Sequence, residues 1–372
     1  QKIIYFLSID WDHSLERQQI IISGLAKKLD QLEHIVIPPS GLIDHNIFKF
    51  IAAKATSWKP NSHNSVKPAA IHTENEVPVG VNIVVCYFSR ATNKILMLIY
   101  LLVNFRVLIL LIFHANKSIV YASYVNPLVE LFLQRSLVSV LDLAERRQSS
   151  EKLPSYVKER ELNWASKCDK LYCDNTATIS DYEVGRSIKG KKPAIYIPQG
   201  YFSENLPKMN KVDCHKVAYM GNMHDAIDYI FLNELIDMNQ DIIFKFCGSI
   251  MCSAAKNIIT KRNVEYLGYV DPANFSDYFE DVGAGIIPYK VNEWTSGVFP
   301  TKLFEYASYG LNIYSTPISE VVKFSCHAPL HIIEHPCKLS WSSVPKAAFE
   351  ILLNSQTWSD RVSVISEDLI TK

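Results

Sequence analysis

The chain alternates short apolar runs with stretches of helical spacing, and it does so twice over, which restricts the folds open to it more than anything else it carries. Ile3–Ile9 reads as a buried strand. Glu16–Leu29 places Ile20, Ile21, Leu25 and Leu29 at helical spacing, and His34–Ile37 is a second strand ended by Pro38 and Pro39. Strands at Val81–Phe88, Ser118–Tyr124, Val138–Leu143, Lys170–Asp174 and Ala194–Ile197 continue the series, with helices at Pro127–Gln134 and Lys158–Ser166. Pro198-Gln-Gly200 and a polar connector then interrupt it. The alternation restarts with strands at Lys216–Met220, Asp241–Cys247, Val264–Tyr266, Gly283–Ile287 and Asn312–Ser315, and with helices at Tyr229–Asp237 and from Pro300. Strands separated by helices pair in parallel and are covered on both faces. The expected fold is therefore α/β, with two doubly wound domains facing a cleft, 1–200 and 201–340. A helical segment, 341–372, follows, with Val344, Ala348, Ile351 and Leu352 on one face.

Lys+Arg and Asp+Glu both number 38 in the 372 residues, so no global charge argues for nucleic acid. The eight cysteines are scattered without a CxxC pair and read as free thiols rather than zinc ligands. No signal peptide is read, because the chain opens on a strand. The segment 95–113 approaches the length of a membrane span, but Arg106 sits within it and α/β chain flanks it on both sides. A buried or interfacial helix is the expectation.

The stretch Pro300-Thr-Lys-Leu-Phe-Glu305-Tyr-Ala-Ser-Tyr-Gly310 carries the strongest chemical signal. Pro suits the first turn of a helix and Gly its end. The free N–H groups of a helix start, with Lys302 beside them, suit a diphosphate, and Glu305 one turn on could accept hydrogen bonds from sugar hydroxyls.

Taken in order, Val217-Ala-Tyr-Met-Gly221-Asn222-Met223, Phe244-Lys-Phe-Cys-Gly248, Val264-Glu-Tyr-Leu-Gly268-Tyr269-Val270, Ile286-Ile-Pro288-Tyr289 and Pro300–Gly310 resemble the nucleotide-binding half of GT-B glycosyltransferases. Ser8-Ile-Asp10-Trp11 with Arg17-Gln18, Ala165–Asp169 with Asp174-Asn175, and Tyr196–Gly200 resemble the other half, and Trp358-Ser-Asp-Arg361 the terminal helix that crosses back to it. The likeness covers nearly the whole chain. It is closest to the membrane-associated bacterial type typified by the xanthan glucuronosyltransferase. It implies two Rossmann-like domains, the first for acceptor and the second for a nucleotide-sugar, with a UDP-sugar as donor substrate and neither cofactor nor metal. It also implies a glycan or lipid-linked glycan acceptor and a cytoplasmic location, peripheral on the inner face of the membrane through 95–113 and the basic stretches Arg146-Arg147 and Lys189–Lys192. Retaining members carry a Glu-x7-Glu pair. Here Glu305 can be the second, but position 297 is Gly and Glu293 lies four residues early, which favours inversion. A retaining enzyme, or a binding protein that has lost catalysis on the same fold, is the alternative.

The expected donor site joins Gly221, Asn222, Met223 and His224 at a strand-to-helix turn with Thr301, Lys302 and Glu305, and with Tyr269 or Tyr289 against the uracil ring. An inverting transfer needs a base for the acceptor hydroxyl. Asp142, ending an apolar strand at the cleft edge, is the first candidate and Glu145 the second, ahead of the Asp10, Asp12 and His13 cluster.

Overall fold

The computed structural model describes residues 2–8, 17–43, 81–83, 86–89, 102, 104–151, 153–202, 215–271 and 274–371, with side chains omitted at 39–43, 83 and 86–89. Its first sheet has seven strands in the order β4-β2-β1-β6-β7-β8-β9: β1 (Lys2–Phe6), β2 (Glu33–Ile37), β4 (Val81–Ile83), β6 (Ser118–Ala122), β7 (Val138–Leu143), β8 (Lys170–Cys173) and β9 (Ile195–Tyr196). Every pairing is parallel, in the register Ile4 opposite Ile35 and Val120, and Leu141 opposite Leu171. β3 (Pro39–Ile43) and β5 (Cys86–Ser89) form a separate two-stranded ribbon. The run expected as one strand, Val81–Phe88, thus supplies two, in different sheets. The second sheet has the order β12-β11-β10-β13-β14-β15: β10 (Lys216–Met220), β11 (Ile243–Cys247), β12 (Val264–Tyr266), β13 (Ala284–Ile287), β14 (Asn312–Ser315) and β15 (Leu330–Ile332). Counted from its own first strand, each sheet runs 3-2-1-4-5-6 over its first six strands, which is the Rossmann order. The switch points lie between β1 and β6 and between β10 and β13.

The strands lack alternation because both faces are covered. One face of the first sheet packs Phe6, Val120 and Leu141 against Val107 of α2 (Phe105–His114), Phe132 of α3 (Pro127–Arg135) and Trp164 of α4 (Ser155–Lys167). The other packs Tyr5, Tyr121 and Tyr172 against Ile21 and Leu25 of α1 (Arg17–Lys28). α5 (Thr176–Ile188), a helix without an apolar stripe in its sequence, follows β8. In the second lobe α6 (Tyr229–Met238), α7 (Ser253–Ile258), α8 (Phe275–Tyr278), α9 (Lys302–Ser308), α10 (Ser319–Val322) and α11 (Lys346–Leu353) surround a single core.

α12 (Trp358–Ile370) starts at a capping box between Thr357 and Asp360 and returns to the first lobe. Trp358, Val362, Ile365 and Leu369 join the core beneath α1, and Tyr172 Oη donates to Asp368 Oδ2 at 2.7 Å. The helix thereby crosses back onto the first domain.

α2 is the described part of the 95–113 segment. Val107 and Leu111 are buried, while Leu102, Phe105, Ile109, Ile112 and Phe113 are exposed. Among the described residues no helix is long and apolar enough to cross a membrane.

Candidate functional site

The switch point of the second sheet is where the chain leaves β10 and β13. β10 runs directly into Gly221, whose φ of 124° lies outside the range open to most side chains. Gly248, at the end of β11, has a φ of 122°, and a Cβ on it would stand 2.2 Å from the Gly221 carbonyl oxygen. The turns after two adjacent strands therefore touch backbone to backbone. Met223 N donates to Ser249 O at 2.8 Å and Met251 N to Met223 O at 3.0 Å, which fastens them. Asn222 is exposed, and its Oδ1 accepts from Ser249 N at 3.2 Å.

Lys302 opens α9 and lies across this turn. Its ammonium would be 2.9 Å from a Cβ on Gly221, donates to Tyr289 Oη at 3.1 Å, and stands 5.3 Å and 5.6 Å from the ring centres of Tyr219 and Tyr289. Burial opposes its charge, but the oxygens of Tyr289, Tyr219 and Glu305 outweigh that and raise its pKa, so the ammonium is kept. Glu305 is half-buried one turn further on. Burial pushes its carboxyl above the usual range against the pull of Lys302, and among the described residues no donor hydrogen-bonds to that carboxylate. A partly desolvated carboxylate beside a partly desolvated ammonium is a polar pair able to engage a ligand. Thr301, the residue before α9, is half-buried, and its carbonyl accepts from Phe304 N and Glu305 N in the first turn.

His224 sits at the mouth of the same turn, 6.0 Å from the Tyr289 ring centre, and accepts from Ala226 N at its Nδ1 (3.1 Å). Burial and Lys302 both push its pKa down, so the ring is neutral at pH 7 and carries its proton on Nε2. Tyr269 is 58% exposed on the loop beyond β12, next to Gly268, whose carbonyl accepts from Gly248 N. Tyr289 is buried against Lys302 and cannot present a free face in the same way. Met223 is fully buried in the core, so its side chain does not reach a ligand there as expected. The backbone bonds that make it part of the turn are what place it inward.

The first lobe departs further from expectation. Asp142 does not project at the cleft edge; it is 3% exposed. Arg17 Nη2 donates to its Oδ1 at 2.8 Å, and Tyr121 Oη donates to its Oδ2 at 2.8 Å. Arg17 also donates to the Ile197 carbonyl at 2.8 Å. A carboxylate with both oxygens engaged and no access to solvent cannot take a proton from an acceptor hydroxyl. Asp142 is a structural anchor, and Arg17, 125 residues away in sequence, is its buried partner. Glu145, the second candidate, is exposed just beyond β7 with a φ of 75°, one of only two non-glycine residues with positive φ among the described residues. Its N–H donates to Asp174 Oδ1 at 3.3 Å. Asp174 is buried, and burial raises its pKa against the pull of Arg17. Asp10, Asp12 and His13 lie outside the described residues. Among the described residues no group of three His, Cys, Asp or Glu could hold a metal ion.

Among the described residues, two sets of polar side-chain contacts join the lobes. Glu320 of α10 is fully buried and accepts from Thr176 N at 2.7 Å, Thr176 Oγ1 at 3.1 Å and Tyr196 Oη at 2.7 Å. Lys323 closes the group on Glu320 and Thr176. Arg146, next to Glu145, reaches Ser296 Oγ at 3.4 Å and Glu293 Oε1 at 3.5 Å across the cleft. Neither set was visible in the sequence, because each joins residues more than 100 positions apart.

No protein-family model matches the chain. The Bacillus subtilis protein TuaH, named as a glycosyltransferase of teichuronic acid biosynthesis, is 23% identical over 183 residues. That match covers 45% of this chain and 45% of TuaH, so this chain aligns with less than half of its relative. Among solved structures, a glycosyltransferase from Rickettsia africae superposes with a TM-score of 0.63 at 10% identity, covering 100% of this chain and 99% of that one. HepE of Anabaena, solved in complex with UDP, superposes with a TM-score of 0.58 at 11% identity, covering 99% and 95%. At such identities the agreement is one of fold: two parallel Rossmann-ordered sheets facing one another, with a terminal helix crossing back, are the GT-B architecture, and this chain has it.

Proposed function

We propose that this chain is a glycosyltransferase that moves a sugar from a UDP-sugar to a hydroxyl of a lipid-linked or cell-envelope glycan, with inversion at the anomeric carbon. The observation that carries the reading is the pair formed by Lys302 and Glu305 at the β10–β13 switch point: a partly desolvated ammonium on a glycine turn, and one helical turn away a carboxylate that accepts no hydrogen bond among the described residues. Ligands of open α/β sheets bind at such points. The UDP and UDP-glucose held by HepE on the same fold support a uridine donor.

In this reading 201–340 takes the donor, 1–200 the acceptor, and 341–372 couples them. Lys302 and the N–H groups at Thr301 and Lys302 receive the diphosphate beside Gly221 and Asn222. Glu305 accepts from the ribose or sugar hydroxyls, His224 Nε2–H donates to the donor, and Tyr269 offers its exposed ring to uracil. Glu145 takes the acceptor proton. The acceptor oxygen then forms its bond to the anomeric carbon from the face opposite the leaving group, and the bond from that carbon to the diphosphate oxygen breaks, so UDP departs with the electron pair. The exposed face of α2, with Phe105, Ile109, Ile112 and Phe113, rests on the inner face of the membrane.

The test is a thermal-shift titration with UDP, UMP and inorganic phosphate. UDP at about 100 times its dissociation constant should stabilise the protein by about 2.7 kcal/mol. No shift with UDP at millimolar concentration sinks the reading.

A further inference from the structure

The loop that carries Glu145 is fixed on both sides. Below it, buried Asp174 accepts the Glu145 N–H and is itself held by Asn175 at 2.7 Å and by Gln199 of the inter-lobe connector at 2.9 Å. Beside it, the Arg146 guanidinium donates through Nε and Nη2 to the two oxygens of Asp181 on α5, both at 2.8 Å. A paired fork of this kind fixes orientation as well as distance. The remaining nitrogen points across the cleft to Ser296 and Glu293. That turn belongs to the segment that runs straight into Pro300 and Lys302, and Thr295 Oγ1, donating to Lys290 O at 2.5 Å, pins it.

Gly297 faces this arginine. A Cβ at position 297 would stand 2.1 Å from Arg146 Cβ and 3.1 Å from its backbone nitrogen. The obstruction is main chain and Cβ, which cannot swing away. Residue 297 therefore has no room for any side chain while the lobes meet as they do. Glu145 keeps a left-handed backbone that glycine or asparagine would adopt at lower cost.

We infer that Arg146 is the positioning residue of the transfer: it docks the Glu145 loop onto the Thr295–Gly297 turn, so that the base is delivered to the donor site only when the two lobes meet, and Gly297 is the socket for that contact. The inference rests on the glycosyltransferase reading and names how its base is set. It also gives a physical reason for glycine at 297: the space a side chain would need is filled by the backbone and Cβ of residue 146.

The experiment uses the full chain with UDP as the binding probe, and UDP release from the best of a panel of UDP-sugars, with bacterial membrane extract as acceptor, as the turnover probe. Variants are Arg146→Ala, Arg146→Lys, Gly297→Ala, the Arg146→Ala/Gly297→Ala pair and Glu145→Gln, each checked for a native circular dichroism spectrum and melting transition. Arg146→Lys keeps the charge and guards against misfolding of the alanine variant. The expected result is a fall in kcat of about 100-fold for Arg146→Ala and Gly297→Ala, the size of a lost general base, with donor KM and UDP affinity within a factor of two. The pair should be no worse than either alone, and Arg146→Lys should recover part of the loss. Glu145→Gln should lower kcat by a similar factor while UDP affinity stays within a factor of two. Unchanged kcat in both single variants, additive losses in the pair, or parallel losses of kcat and UDP affinity overturn the inference. A wild-type protein that neither binds nor releases UDP overturns the function itself, and so is told apart from failure of the Arg146 contact.

Discussion

Glu305 carries a desolvation cost that Lys302 only partly offsets. Its folded-state pKa lies above the ordinary carboxyl value because burial outweighs Lys302, so the folded form binds the extra proton more readily than the unfolded chain does. The stability linked to that proton is complete below the unfolded carboxyl pKa and is lost as pH rises through the raised folded value. At pH 7.5 the charged, donor-free carboxylate is therefore a liability. Glu305→Gln should melt about 2 °C higher than the wild-type chain at pH 7.5, a gap that closes on titration towards pH 4. The same variant should lose nucleotide-sugar turnover by about 100-fold, the size of a lost charge-complementary contact at a reacting centre. A variant both less stable at neutral pH and fully active would show that Glu305 is an ordinary helix-surface carboxylate. The pairing of a stability gain with an activity loss is what separates a ligand-binding group from a structural one.

At the level of elements, the alternation of strands and helices was legible because parallel strands are buried on both faces and leave continuous apolar runs. β7, β10, β12 and β14 could be read to the residue. α5 could not, because its buried stripe is Thr178, Tyr182 and Arg186, and it contains Gly185; nothing apolar repeats. β15, three residues long, falls below what a pattern can mark. The helix that follows Pro300 was legible, since a helix start needs particular residues in sequence. The burial of Asp142 was not, because Arg17 reaches it from another element and no local signal announces the meeting. α2 shows how far a pattern goes. Its apolar length announced a helix, and the structure divides it into Val107 and Leu111, which enter the core, and Phe105, Ile109, Ile112 and Phe113, which do not. Four such side chains on one face can each contribute about 1.5 kcal/mol to insertion at an interface. The chain should therefore co-sediment with vesicles containing phosphatidylglycerol. Ile109→Asp/Ile112→Asp, whose side chains lie outside the core, should lower the bound fraction about 10-fold while UDP binding stays unchanged. Equal sedimentation of both proteins would mean that this face meets protein or water instead.

Across the whole molecule, the lobes meet through polar groups rather than a shared apolar core, for the second lobe's core and the two cores of the first are separate clusters. Polar contacts between lobes are specific in geometry and can be broken without exposing apolar surface, which suits a cleft that opens and closes. Glu320 is the centre of one contact. It takes two bonds from Thr176 at the start of α5 and one from Tyr196 of β9, and Lys323 neutralises it while lying 4.7 Å from the Tyr196 ring centre. Because Glu320 is wholly buried, its removal leaves Tyr196 and the first N–H of α5 without their acceptor and Lys323 without its counter-charge, and the cost follows from those groups rather than from the lost attraction alone. Glu320→Ala should cost about 3 kcal/mol of stability. It should also enlarge the radius of gyration measured by small-angle scattering, with α12 keeping the two lobes tethered. UDP bound within the second lobe should still bind, because the hydrogen bonds of Glu320 go to Thr176, Tyr196 and Lys323 and not to Lys302 or the turn at Gly221. Turnover should fall, because the lobe carrying Glu145 is then no longer held against the lobe carrying the donor. A Glu320→Ala protein that scatters like the wild type and turns over at the same rate would mean that α12 and the Arg146 contact suffice to close the cleft, and that Glu320 serves only to cap α5.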